Sequence, residues 1–162
     1  MDGSSDRTEL TGPVDPGHIP AADWETVVRS VPIVSVDLVV LTDDGVVPTK
    51  RTNEPAKGEW FVPGGRVKKG ERLREGVHRV ADTELGVQVT IERCLGVYEH
   101  LYEMSETGDV GGKHYVPHGF AVRAEGGPFT LDSQHEAVEV FADPPKDLHE
   151  YVAAYLRDAG VY

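Results

Sequence analysis

The stretch that decides the fold reads Gly65-Arg66-Val67-Lys68-Lys69-Gly70-Glu71, followed after seven residues by Arg79-Val80-Ala81-Asp82-Thr83-Glu84-Leu85-Gly86-Val87. Between the two parts, Leu73, Val77, Val80 and Ala81 recur at three- and four-residue spacing. That period predicts a helix over 71–85, with Gly86 in the stop position. A glycine-rich loop feeding a helix offers unsatisfied backbone groups to a charged ligand. Glu84, near the far end of that helix, can face the same cleft and offer a carboxylate to Mg²⁺, which prefers oxygen ligands.

Outward from this segment the chain alternates strands and helices. Residues 31–42 read as a strand apolar on both faces and therefore central in a sheet. Asp43-Asp44-Gly45 signals a hairpin, with 46–51 as the return strand. Residues 59–62 form a short strand ending in Pro63-Gly64-Gly65, where the glycine-rich loop that feeds the helix begins. After the helix, 87–102 alternate as one or two strands around Gly96, 114–124 form another, and 136–141 a further one. Pro117 argues that the strand carrying it is an edge or holds a bulge. A helix follows Asp143-Pro144-Pro145 and runs to Ala159, and a shorter one near 24–28 takes Asp23 as its cap. The order implies an α+β domain, a mixed sheet sandwiched between helices (α/β/α). Residues 1–20, rich in Gly, Ser, Asp and Pro, read as a flexible N-terminal arm, and 21–162 as a single domain.

Composition narrows the function. Asp and Glu number 28 against 16 Lys and Arg in 162 residues, a formal net charge of -12. So negative a surface repels nucleic acid, and an anionic substrate needs a local cationic pocket. Lysines are only 6 and the acid is dispersed, a pattern similar to proteins of salt-loving organisms. No apolar run approaches the roughly 20 residues that cross a bilayer, and no basic patch precedes an apolar core as in a signal peptide. A cytoplasmic protein with no membrane partner is expected. The lone cysteine, Cys94, rules out an internal disulfide and is expected in the core.

The quoted segment resembles a Nudix box, the loop–helix–loop that binds divalent metal in hydrolases of nucleoside diphosphates linked to another moiety. Two positions depart from the common pattern. Val80 and Thr83 stand where the box carries glutamates, which leaves Glu84 alone on a face where positions i, i+3 and i+4 align. One carboxylate suits a single ion that neutralises a diphosphate leaving group, and attack of water on carbon rather than phosphorus.

With that substitution the chain is most similar to the GDP-mannose mannosyl hydrolase family, over roughly residues 24–141. The similarity is carried by Thr26-Val27-Val28-Arg29-Ser30, residues 32–37, Lys50-Arg51-Thr52-Asn53, Pro55-Ala56, residues 60–67, the box, His114-Tyr115, Gly119-Phe120 and Gln134-His135. The resemblance implies Mg²⁺, with Mn²⁺ as a substitute, held by Glu84, the Gly64 carbonyl and Gln134. It implies His135 as general base in a movable loop, Arg51 and Arg66 as cations that help the leaving group depart, and Asp37 as stabiliser of positive charge on the sugar. Tyr115 is expected beside the departing diphosphate, His100 near the sugar, and Arg79 on the diphosphate or paired with Glu75. Glu71 matches the box as a helix-start group; Lys68 and Lys69 are assigned to a solvated loop. The implied reaction is GDP-mannose to GDP and mannose with inversion, in a homodimer. A Nudix pyrophosphatase acting on a compound such as ADP-ribose, and a non-catalytic nucleotide-sugar binding module, are the alternatives.

Overall fold

A computed structural model of the chain describes residues 18–54, 56–103, 105, 111–131 and 135–162, with His135 and Glu136 described by backbone alone. The arm ascribed to residues 1–20 lies mostly outside the described residues. The first helix, α1 (Ala21–Ser30), starts from Pro20 rather than Asp23, which sits in its first turn.

Strand β1 (Ile33–Thr42) is the spine. Its alternation sends Val36, Leu38 and Val40 to one side of the sheet and Val39 to the other. On the first side they meet Val77, Val80, Ala81 and Leu85 of α2 (Leu73–Leu85). On the second they meet Val152, Tyr155 and Leu156 of α3 (Glu150–Asp158). Each of these side chains is buried, worth roughly 1.5–3 kcal/mol per large aliphatic residue. That double packing is the expected α+β arrangement, with a mixed sheet between helices.

The hairpin at Asp43-Asp44-Gly45 forms, pairing β1 with β2 (Gly45–Val46). The expected return strand then splits. β3 (Thr49–Arg51) leaves for a second sheet of three antiparallel strands, in which it lies between β4 (Trp60–Phe61) and β9 (His135–Val138). Residues 64–66, read as loop, form β5 (Gly64–Arg66), antiparallel to β1 with Gly64 opposite Asp37. β6 (Val89–Val97), β7 (His100–Tyr102) and β8 (Lys113–Ala124) complete the larger sheet.

Three expectations fail here. β8 is interior, parallel to β1 on one side and antiparallel to β6 and β7 on the other, so Pro117 does not mark an edge. The proline is tolerated because it faces the gap between β6 and β7, where the Tyr98 amide donates to the Pro117 carbonyl at 2.8 Å. Cys94 is exposed on β6 and is not a core residue. The C-terminal helix is also shorter than expected; it begins only after His149, whose Nδ1 accepts from the Tyr151 amide at 3.2 Å.

Helix α2 opens with a capping box in which the Arg72 amide donates to Glu75 at 2.8 Å. It closes at Gly86, whose φ of 65° is left-handed as the helix stop requires. No described helix is long and apolar enough to cross a membrane.

Candidate active site

A cleft of about 550 Å³ opens where β5, the cleft side of α2, β3, and the first halves of β1, β7 and β8 converge. Among the described residues, every sequence-derived site residue with a placed side chain lines it: Asp37, Arg51, Gly64, Arg66, Arg79, Glu84, His100 and Tyr115.

The cleft is built around Gly64. A Cβ there would lie 2.1 Å from Asp37 Oδ1 and 2.9 Å from the Val36 carbonyl, so only glycine fits. Its amide donates to Glu84 Oε2 at 3.0 Å. Two carboxylates, from β1 and from the last turn of α2, therefore approach one glycine. Glu84 is only 7% exposed. Of its neighbours on the helix, Val80 is buried in the core against Val36 and Leu38, while Thr83 is exposed. The donors here are hard oxygens, which fit Mg²⁺ or Mn²⁺. No group of three or more His, Cys, Asp or Glu that could hold a metal occurs among the described residues.

Asp37 accepts from the Tyr155 hydroxyl at 2.7 Å. Burial pushes its carboxyl up to about 7, against the opposing pull of that hydrogen bond and of the Arg51 charge. His100 Nδ1 lies 3.8 Å from Asp37 Oδ2, too far for a hydrogen bond. Burial and then the His149 charge push His100 down to about 4, so at neutral pH it is an uncharged imidazole. Its ring stacks on Tyr151 at 3.9 Å and 6°, and its buried Nε2 has no hydrogen-bond partner. Tyr155 fits over the sheet because Gly119 lies beneath it; a Cβ there would stand 2.8 Å from the Tyr155 ring and 2.9 Å from that of Tyr98.

Arg79 pairs with Glu71 rather than Glu75. Its Nε donates to Glu71 Oε1 at 2.6 Å, and its Nη2 donates to Glu71 Oε2 at 3.0 Å and to the Arg66 carbonyl at 2.8 Å. Glu71 also accepts the Lys68 amide at 2.9 Å. Although burial alone would raise it, these bonds and charges hold the Glu71 carboxyl below its ordinary value. Arg79 thus fastens loop 66–71 to α2 while still lining the cleft wall. Lys68, half-buried in the loop after β5, also lines the cleft.

The backbone of His135 pairs with Arg51 in the smaller sheet, so it begins a strand instead of lying in the preceding loop. Gln134 and the rest of 132–134 lie outside the described residues. The sequence reading missed Lys113, buried at 5% exposure, whose Nζ donates to the Tyr115 hydroxyl at 3.1 Å. It also missed Trp24, Tyr102 and Tyr155. For Lys113 a signal existed: it precedes Tyr115 by two, which in a strand places both on one face.

Comparison with known proteins places the chain among relatives. A family model described as NUDIX domain matches residues 31–160. The low-salt glycan biosynthesis protein Agl8 of Haloferax volcanii is 49% identical over 139 residues, 86% of this chain and 89% of that protein. An ADP-ribose pyrophosphatase of Methanocaldococcus jannaschii is 39% identical over 67 residues, 41% of this chain and 40% of the relative. Among solved structures, a MutT NUDIX hydrolase from Burkholderia pseudomallei superposes with a TM-score of 0.64 at 27% identity, covering 80% of this chain and 98% of the other.

Proposed function

The chain belongs to the NUDIX domain family, and from that premise we propose that it hydrolyses a nucleotide sugar, GDP-mannose to GDP and mannose, by attack of water at the anomeric carbon with inversion. The observation that carries this reading is the makeup of α2 along the cleft. Val80 belongs to the core, Thr83 is neutral, and Glu84 is the one carboxylate that this helix brings to Gly64. Glu84, the Gly64 carbonyl and Gln134 would hold one Mg²⁺ or Mn²⁺ ion, whose charge neutralises the diphosphate. Arg51 and Arg66 bind the diphosphate oxygens through guanidinium groups that stay charged. Asp37, ionised in part near pH 7, favours positive charge as it develops on the sugar ring. His135 takes the proton of the attacking water. Tyr115 and the neutral His100 line the cleft where sugar and diphosphate meet. Agl8, named for glycan biosynthesis, accords with a sugar-bearing substrate.

A homodimer is part of the same proposal. On the side of the sheet away from the cleft, Val34, Val97 and Leu101 are 46%, 62% and 64% exposed, an apolar area that a second copy of the chain can cover.

The rival is cleavage of a phosphoanhydride, favoured by the similarity of 67 residues to an ADP-ribose pyrophosphatase. Turnover of GDP-mannose in ¹⁸O-water with Mg²⁺ separates the two. Label in mannose is expected; label in GMP would replace this reading with the rival. Tight binding without turnover would indicate a sensor.

A further inference from the structure

We infer that Tyr155, on α3, is a positioning residue for the proposed reaction: its hydroxyl holds Oδ2 of Asp37, so that Oδ1 stays beside Gly64. The inference rests on the nucleotide-sugar reading above and extends it to a residue outside the cleft lining.

Three observations carry it. First, the contact is direct and shielded from water. Tyr155 is fully buried, does not line the cleft, and donates to Asp37 Oδ2 at 2.7 Å. Burial, and then the Asp37 charge, push its phenol far above the ordinary value, so it keeps the proton that it donates. Second, the bond gives the two carboxyl oxygens different tasks. With Oδ2 on Tyr155, Oδ1 lies where a Cβ on Gly64 would meet it at 2.1 Å. Asp37 is thereby turned toward the glycine that Glu84 also reaches. Third, a competing partner stands close. His100 Nδ1 is 3.8 Å from the same Oδ2, and the His100 ring is held in place by stacking on Tyr151, one turn before Tyr155 on α3. A buried acceptor stripped of its donor costs free energy, and His100 in its Nδ1–H form is a donor within reach of a small rotation. Without the Tyr155 hydroxyl, Asp37 turns toward His100 and Oδ1 leaves Gly64.

The helix that brings the hydroxyl is itself anchored. Tyr98 packs edge-on against the Tyr155 ring at 4.4 Å and donates to Asp158 Oδ2 at 2.5 Å. Arg93 donates to the Asp158 carbonyl at 2.7 Å. Gly119 leaves the space in which the Tyr155 ring lies. Packing alone would be served by phenylalanine, which fills the same volume. The hydroxyl adds a buried polar group, and it is aimed at a carboxylate of the cleft. A group that steadies developing charge must hold its distance, because a displacement of about 1 Å costs on the order of 100-fold in rate.

The test is steady-state hydrolysis of GDP-mannose with Mg²⁺ by the full chain and by Tyr155→Phe, Tyr98→Phe, Asp37→Asn and the double variant of Asp37 and Tyr155. GDP binding is measured alongside by calorimetry. Tyr155→Phe should lower kcat about tenfold or more. Its KM and its affinity for GDP, which lacks the sugar, should stay within about twofold of the wild type. In the Asp37→Asn background the same change should cost less than about twofold, because the hydroxyl acts through the carboxylate. Tyr98→Phe loosens α3 at Asp158 without touching Asp37 and should keep its kcat. An unchanged kcat in Tyr155→Phe, or an equal loss in both backgrounds, would overturn the inference. So would a matching fall in GDP affinity, or an equal loss of kcat in Tyr98→Phe, either of which would make Tyr155 a packing residue only. A wild type that does not hydrolyse GDP-mannose would sink the nucleotide-sugar reading, and this inference with it.

Discussion

At the scale of single residues, the site is governed by Gly64 and the carboxylate it lets in. Replacing Gly64 by Ala forces a methyl group onto Asp37 Oδ1 and the Val36 carbonyl. Gly64→Ala should lose roughly 2–3 kcal/mol of stability, read by urea unfolding, because both neighbours are held by the sheet. Asp37 itself makes stability depend on pH. The folded carboxyl keeps its proton up to about 7, while the unfolded one releases it near 3.8. Between those values the folded state binds more protons, so stability falls as pH rises through the window. In EDTA, Asp37→Asn should be more stable than the wild type at pH 8 by an amount on the order of a few kcal/mol, read by urea unfolding, and the two should converge by pH 4. A difference independent of pH would mean that the buried carboxyl does not titrate in this way. Asp37 was legible from the sequence as an acid among apolar residues. Its partner Tyr155 was not, since the two are 118 positions apart and meet only through packing of α3 on the sheet.

At the scale of elements, α2 concentrates both structure and chemistry. One side packs Val77, Val80 and Leu85 into the core, and its last turn carries Glu84 to the cleft. Its period and its glycine stop were readable because a helix is a local object, set by residues a few positions apart. β5 and the departure of β3 were not, because strand pairing is decided by partners distant in the chain. The same holds for Pro117: its missing donor was foreseen, but not that the break would fall in the neighbouring strand. Thr83, exposed beside Glu84, offers a direct test of how many ions this helix can support. Thr83→Glu adds a carboxylate at the cleft wall and should raise Mn²⁺ affinity about tenfold, measured by water-proton relaxation. Unchanged affinity would mean that the ion does not sit against this turn.

At the scale of the whole molecule, charge and one exposed apolar area of the sheet dominate. With a net charge of -12, self-repulsion opposes the compact state and salt screens it. The melting temperature should therefore climb as KCl is raised, in a thermal scan at fixed pH. The apolar area at Val34, Val97 and Leu101 is invisible in the sequence as a surface, because its members come from three strands. Sedimentation should find a dimer that Leu101→Lys converts to monomer with the fold intact. A dimer that survives this change would place the contact elsewhere.

The split of the strands into two sheets has a mechanical corollary. Arg51 and His135 share a rung of the smaller sheet, whereas Asp37 and Gly64 share one of the larger. A tilt between the sheets would carry the backbone of the proposed proton acceptor and that of the proposed leaving-group cation together, as one jaw, against the anvil on which the ring is proposed to rest. Their mutual alignment would survive such a motion; only the gap to the ring would change.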